Sequence, residues 1–438
     1  MSSLIETIST AEQFLQSVEQ SEVLYGNHLP FFAAQRVAAA EEFQRIGFPT
    51  TRHEEWKYTN VAPVLKTRLR NSHPEEPQIL DTVTAKKLVK SDGILVVIEN
   101  GRLNAAASTL SNLPAGLTIN AFSELEKDAR LAKYLGNYAT VKNEPFVALN
   151  TSMLFDGLAI FVEAKTVISE QIHLLVVTTS ADALAVQPRL LVVLGAHAEC
   201  TVTEQHLFYG ETLPHFTNLV AETVCETNAK LNYIKLEDTD SKAFMVNFHQ
   251  AWIERDAYLH ITTLCLNGAL IRNNLHIRLN DQNCNAYLNG LYIVNGNQVV
   301  DNHSLVDHAF PNCYSSELYK GIIDDHGQGV FNGKIFVRQD AQKTNAYQSN
   351  KNLLLSNNAS MNTKPQLEIF ADDVKCSHGA TTGQIDEEAL FYLRARGIGE
   401  LSARALLNHA FAANVIEQIA DEAIRSVMLE RLDRKLDA

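Results

Sequence analysis

The sequence predicts a mainly β chain with helical ends, and three observations carry that prediction. Between about Gly93 and Val374, short apolar bursts of strand length recur, rich in Val, Ile and aromatic residues and bounded by Gly, Asn, Asp or Ser. Long helical segments between those bursts are scarce, which argues against a doubly wound α/β fold. The two flanks carry helical spacing and helix stops instead. The 438 residues therefore divide into an N-terminal helical domain (1–92), a β core (93–374) and a C-terminal helical domain (375–438).

In the first region Pro30 opens a run, FFAAQRVAAAEEFQRI, in which Val37, Ala40, Phe43 and Ile46 suit one face of an amphipathic helix. Gly47 and Pro49 close it, the first by permitting a left-handed cap and the second by blocking continuation. A charged aromatic segment, HEEWKY, follows; Trp56 within it could stack a ligand or anchor a linker to a domain surface. The core bursts begin with Ile94-Leu-Val-Val-Ile98, Leu158-Ala-Ile-Phe-Val162, Ile172-His-Leu-Leu-Val-Val177 and Leu190-Leu-Val-Val-Leu194. They continue through Ile253 to Leu264, Leu291 to Val294, Val330-Phe331, Ile335 to Val337 and Leu353 to Leu355.

So many short strands fit either two β domains or a solenoid. Eighteen asparagines fall among the 96 residues from Asn267 to Asn362. Asn tolerates left-handed backbone at corners, and its amide can form ladders between successive coils. A set of Asn-rich hairpin turns reads almost as well, and no strict hexapeptide or nonapeptide period is present. Beyond the core, Asp386 is a plausible N-cap for Glu387 to Arg396, with Gly397 as its stop. Ser402 could cap a second helix through Phe411. A third, from about Asn414 to the end, presents Ile416, Ile419, Ala420, Ala423, Ile424, Val427 and Met428 on a broad face. That face must pack on the β region or on a partner.

Composition removes several functions. Hydrophobic residues at 46% and charged residues at 20% describe an ordinary globular protein. The 37 Lys and Arg against 51 Asp and Glu give a formal charge of −14, which argues against a nucleic-acid partner. Six cysteines, at 200, 225, 265, 284, 313 and 376, include no CxxC pair, so zinc ribbons and four-cysteine ferredoxin ligation lack their signature. No cationic segment with an apolar run follows Met1, and no apolar stretch is long enough to span a membrane. The chain reads as soluble, reduced and cytoplasmic. Neither a P-loop nor G-x-S-x-G is present, so nucleotide hydrolysis and α/β-hydrolase chemistry lack their parts.

Two segments hold residues able to do chemistry. In Asp372-Asp-Val-Lys-Cys-Ser-His-Gly-Ala-Thr-Thr-Gly383, Cys376 and His378 are two apart and share a face of an extended chain. A thiolate and an imidazole there suit a borderline metal such as zinc or iron, and Lys375 with His378 could lower the thiol's pKa. Two ligands are not a site, so others must come from elsewhere. The second segment gathers His303, His308 and His326 with Asp301, Asp307, Asp324 and Asp325. It could bind metal, serve a β-helix carbohydrate enzyme, or be solvated turns.

RHEEWKYTNV (Arg52 to Val61), Tyr319-Lys-Gly-Ile with Val330-Phe-Asn-Gly-Lys-Ile335, and ADDVKCSHGATTGQIDEEALFYLRARGI (Ala371 to Ile398) resemble the SufB/SufD family of iron–sulfur cluster assembly proteins. The resemblance covers nearly the whole chain and implies a right-handed parallel β-helix core flanked by N-terminal and C-terminal helical domains. It further implies a non-catalytic scaffold subunit joined to a SufB-like subunit and two copies of a SufC-like ABC-type ATPase. The ATPase would dock on the C-terminal helices, and its ATP-driven dimerisation would alter the scaffold interface. A transient iron or iron–sulfur cluster would form there, with His378, facing a partner cysteine, as the cluster-related residue and Cys376 on the same motif as the secondary candidate. SufB-like chains carry a thiol within D-K-C-G-A-H-T, where this chain has Ala359 in Ser356 to Thr363, and V-E-H-E-A-T where it has Lys375 to Thr381. Both departures point to the SufD branch. A homodimer of the isolated chain stays open.

Overall fold

The computed structural model describes residues 7–8, 11–89 and 93–436. Its centre is a parallel β-solenoid, which decides between the two β architectures left open above. One sheet runs through His215–Cys225, Ala243–Ile253, Leu270–Leu279, Val299–His308, Gln328–Val337 and Ser360–Ile369. The facing sheet runs through Glu199–Phe208, Lys230–Asp238, Tyr258–Asn267, Asn285–Val294, Tyr314–Ile323, Asn345–Leu354 and Lys375–Gly383. Strands consecutive in sequence alternate between the sheets, so every coil lays one strand on each, parallel to the strand before it.

One corner explains why no short period is visible. Lys165, His197, Asn228, Asp256, Asn283, Asn312 and Lys343 all hold a left-handed backbone, recurring every 27 to 32 residues. Each donates its N–H to a carbonyl of the next coil, as Asn228 does to Arg255 (2.9 Å) and Asn312 to Gln342 (2.9 Å). The repeat is one backbone conformation per coil, and three of its seven residues are Asn. Inside, Asn247 donates to Asn273 (3.1 Å) and Asn273 to Asn302 (3.2 Å), an amide ladder across three coils. Alternate residues of each strand fill the lumen, largely with Val, Ile and Leu.

The first part of the N-terminal region packs on the outer face of the first sheet, and its helix Thr82–Val89 on Leu95, Val97, Leu175 and Val177 of the second. Pro30–Phe32 forms a 3-10 turn and Ala33–Ile46 an α-helix, stopped by Gly47 at φ 62°. Its buried stripe is Arg36, Ala39 and Phe43, with Val37 exposed, so it is offset from the expected Val37 to Ile46 face. The offset follows from Arg36, whose buried guanidinium finds acceptors in the carbonyls of Leu154 (3.1 Å) and His28 (2.7 Å). Trp56 is a linker anchor. It lies under the guanidinium of Arg272 (3.7 Å) and against Phe146 (5.2 Å).

Three helices, Glu387–Ala395, Glu400–Ile416 and Glu422–Leu436, close the chain. Asp386 caps the first, accepting from the N–H of Glu388 (2.9 Å) and Ala389 (3.3 Å). The second starts after Gly399 and runs on to Ile416, past the expected end at Phe411. The break comes at Asp421, whose carboxylate caps the third helix through the N–H of Ile424 (3.0 Å). The broad apolar face is covered from within the chain: Val415, Ile416, Ile419, Ile424 and Met428 pack on Ile234, Leu264, Leu291 and Ile293 of the second sheet. None of the described helices is long and apolar enough to cross a membrane.

Candidate functional site

Cys376 and His378 do not lie in the helical C-terminal region assigned above. They belong to the solenoid's last strand, Lys375–Gly383, and helix begins only at Glu387. The reason is the pairing: Cys376 stands opposite Ala346, His378 opposite Gln348, Ala380 opposite Asn350 and Thr382 opposite Asn352. Ala346, Gln348, Asn350 and Asn352 are the buried, lumen-facing residues of their strand. Cys376 and His378 therefore share the lumen-facing side of the final rung, as extended spacing requires.

Because no further coil follows among the described residues, this side of the rung is uncovered. His378 is exposed and Cys376 half-buried. The adjoining strand Ser360–Ile369, which ends the other sheet, is half-exposed along nearly its whole length. The lumen beneath His378 is polar. Gln348 donates to Glu317 (2.6 Å), one rung further down, and the buried Glu317 carboxyl is pushed up to about 7 by its burial. Glu317 and Gln348 drew no attention as sequence. Their signal was a polar residue at every second position of a strand whose inward phase can be set only once the register is known.

Cys376 is not activated as expected. Partial burial raises its thiol pKa, and the backbone hydrogen bond at Ala346 offsets this only in part. The described residues include no group of three or more His, Cys, Asp or Glu placed to hold a metal. Cys376 and His378 are thus two potential donors on an open surface, too few to hold a metal by themselves.

The second chemical segment is dispersed. His303 points outward from the first sheet toward Glu55 (3.4 Å) and Asp301 (3.1 Å). His308, five residues on, points into the lumen, donates to or accepts from Ser315 (2.9 Å) and is pushed down to about 3 by burial. His326 lies in an exposed turn, and Asp307 pairs with Arg278 and Arg338. Strand alternation separates these groups, so they form no common centre.

One further surface is notable. Phe391 (74% exposed), Tyr392, Leu401 (86%) and Leu406 project from the first two C-terminal helices without cover. Below them Leu390, Ile385 and Ala403 form a small buried cluster.

Comparison with known proteins fits this architecture. Residues 176–411 match the SufBD core domain of the SUF system for FeS cluster assembly, and residues 8–174 match the SufBD protein N-terminal region. An iron–sulfur cluster assembly SufBD family protein of Synechocystis is 32% identical over 92% of this chain and 91% of its own. The iron–sulfur cluster assembly protein SufD of Escherichia coli is 31% identical over 90% and 91%. Protein ABCI7 of Arabidopsis thaliana chloroplasts is 29% identical over 89% and 83%. With both family regions matched in order and full-length relatives above 30% identity, the chain belongs to the SufBD family of iron–sulfur cluster assembly proteins.

Proposed function

We propose that this chain is a non-catalytic scaffold subunit whose last solenoid rung completes an assembly site with a SufB-like partner. The observation that carries the reading is His378 on the uncovered final rung, Lys375–Gly383, itself an edge strand whose outer side has no partner among the described residues. Solenoids need a cap over the terminal coil, and open strand edges recruit pairing partners. A partner subunit seated there would cover the rung and bring its thiolates to His378, with Cys376 as a second donor. The iron or nascent cluster is then cargo, held across the interface and passed on. Without that partner, the same edge is available to a second copy of this chain.

The apolar surface of Phe391, Tyr392, Leu401 and Leu406 fits a separate docking role, and a SufC-like ABC-type ATPase is its proposed occupant. ATP-driven movement of that partner would act on the rung through helices that continue directly from Lys375–Gly383. The test is anaerobic co-purification of the tagged chain, with partner identification and assays of iron and sulfide. Recovery of a SufB-like subunit and an ABC-type ATPase, with iron lost on His378→Ala, is expected. A chain that emerges alone and without iron refutes the reading.

A further inference from the structure

The two segments that the assembly reading leaves unused, HEEWKY and the strand carrying Asp301 and His303, meet at one cavity. It has a volume of about 660 Å³ and lies between the N-terminal region and the first sheet. That size is in the range of small-molecule sites. Its floor is a cross-strand row of Asn274, His303 and Asn332, and its walls come from Glu55 and from Glu144 before the helix Pro145–Ser152.

The pairing of its charges is uneven. Arg45 is bound to Glu42, Glu54 to Lys364, Glu55 to His303, and Lys334 to Glu368. Arg272 is held by Asp301 (2.7 Å), the Glu55 carbonyl (2.7 Å) and Asn274 (3.1 Å), all through Nη1 and Nε. Its Nη2 makes no hydrogen bond to the protein among the described residues. The Glu144 carboxyl makes neither a hydrogen bond nor an ion pair among them, and its residue is half-buried in the cavity wall. The two groups feel each other's charge, yet no ion pair joins them. The cavity thus presents a guanidinium nitrogen and a carboxyl that neither a hydrogen bond nor an ion pair joins to each other.

We propose that this split pair is a binding site for a small zwitterion of the α-amino-acid class. The ligand carboxylate takes Nη2 of Arg272, and the ligand ammonium takes Glu144. A carboxylic acid alone leaves Glu144 unpaired, and an amine alone leaves Nη2 unpaired, so the pair selects for a ligand that carries both charges. His276, beside them without a hydrogen-bond partner among the described residues and kept neutral by burial that lowers it to about 4, offers one more polar contact without a competing charge. The Arg272 guanidinium, stacked on Trp56, is fixed before the ligand arrives, so little ordering is required of it.

Burial pushes Glu144 up to about 7, with Arg272 and His303 pulling it down and Glu55 raising it further. Taking an ammonium requires the ionised carboxylate. Near neutral pH, binding should therefore release a fraction of a proton into solution.

The experiment is titration calorimetry on the full chain with alanine, leucine and phenylalanine. Each is compared with its deaminated acid (propionate, 4-methylpentanoate, 3-phenylpropionate) and with its decarboxylated amine. Two buffers of different ionisation enthalpy report the proton. At least one amino acid should bind tenfold or more tighter than both of its single-charge analogues, with proton release at pH 7. Glu144→Gln should weaken it tenfold or more and abolish the release, without lowering the unfolding temperature. No saturable binding of any of the three amino acids, analogue acids binding equally well, or unchanged binding by Glu144→Gln would each overturn the assignment.

Discussion

Leu390 and Phe391 are neighbours on the helix Glu387–Ala395, and the structure assigns them opposite consequences. Successive helical residues point about 100° apart, so Leu390 (2% exposed) packs into the cluster with Ile385 and Ala403, while Phe391 (74% exposed) faces outward. Leu390→Ala removes buried methyl groups and leaves a cavity, a change that costs about 2–5 kcal/mol. The cluster is small and can partly collapse, so the lower part of that range, about 2–3 kcal/mol, applies here. Phe391→Ala removes almost no buried area and should change stability by about 0.5 kcal/mol or less. If the exposed surface is a docking site, truncating an aromatic anchor costs roughly 2 kcal/mol of binding, or about thirtyfold in affinity. Native-state hydrogen exchange of amides 387–395 reads the first effect, and calorimetry with the ATPase partner reads the second. Leu390→Ala should speed exchange of that helix about thirtyfold or more, and Phe391→Ala should leave it unchanged. ATPase affinity within twofold of wild type for both Phe391→Ala and Leu406→Ala would remove this surface as the docking site. Equal exchange effects from the two single variants would contradict the packing itself.

Other outcomes follow from the same contacts. His378→Ala should leave unfolding unchanged, because the side chain is exposed, yet reduce iron retained by the assembled complex; full iron loading would exclude His378 as a ligand. Glu317, with its folded pKa raised to about 7 from an ordinary 4.5, binds more protons folded than unfolded between those values. It therefore costs stability that grows from about pH 4.5 and levels off above pH 7, reaching about 3 kcal/mol. Glu317→Gln should flatten that part of the stability–pH curve, and an unchanged slope in denaturant titrations would refute the assignment. Glu222 accepts from Arg189 (2.7 Å) and from the N–H groups of Gly136, Tyr138 and Ala139, all within 3.0 Å. Glu222→Ala leaves the fully buried Arg189 without its counter-charge and should cost about 3–5 kcal/mol, measured as a large drop in Tm. Finally, outward-pointing amides of Lys375–Gly383 should become protected from hydrogen exchange when the scaffold partner binds. Protection confined to Ser360–Ile369 would place the partner on the other sheet.

The solenoid was half legible because its signals are of two kinds. The strand bursts and the Asn excess are local, and they survive in the structure as rungs and as the left-handed corners at Asn283 and Asn312. The coil period was not legible, because the corner repeats a backbone angle that Lys165, His197, Asp256 and Lys343 also adopt. Residue identity there is only loosely constrained. The Cys376 and His378 face followed from spacing alone, since a strand alternates whatever its neighbours. The chemistry of that face did not: adjacent Lys375 suggested an activated thiol, but burial against the rung below raises it instead. The scattered His303, His308 and His326 show the converse. Closeness in sequence brought them together on paper, and alternation sent two of them to opposite sides of one strand.

The two open edges of the solenoid are not equivalent, and the difference bears on where a partner can sit. Ser360–Ile369 carries Pro365, which has no N–H to offer, and Lys364, whose ammonium is drawn toward Glu54 of the N-terminal region (2.6 Å). A proline and a charged lysine on an edge both oppose strand addition. Lys375–Gly383 has no proline; Gly379 and Gly383 have nothing within 4 Å of where a Cβ would stand. Its free side can therefore approach another backbone closely and offer an unbroken row of donors and acceptors. This is also the strand that carries Cys376 and His378. Strand pairing along this edge would fix a partner's register relative to the imidazole within a single residue, because a slip by one turns every side chain to the opposite face. The coordination proposed above, shared between two chains, needs that kind of registration, and of these two edges Lys375–Gly383 is the one that carries neither a proline nor a lysine paired to the N-terminal region.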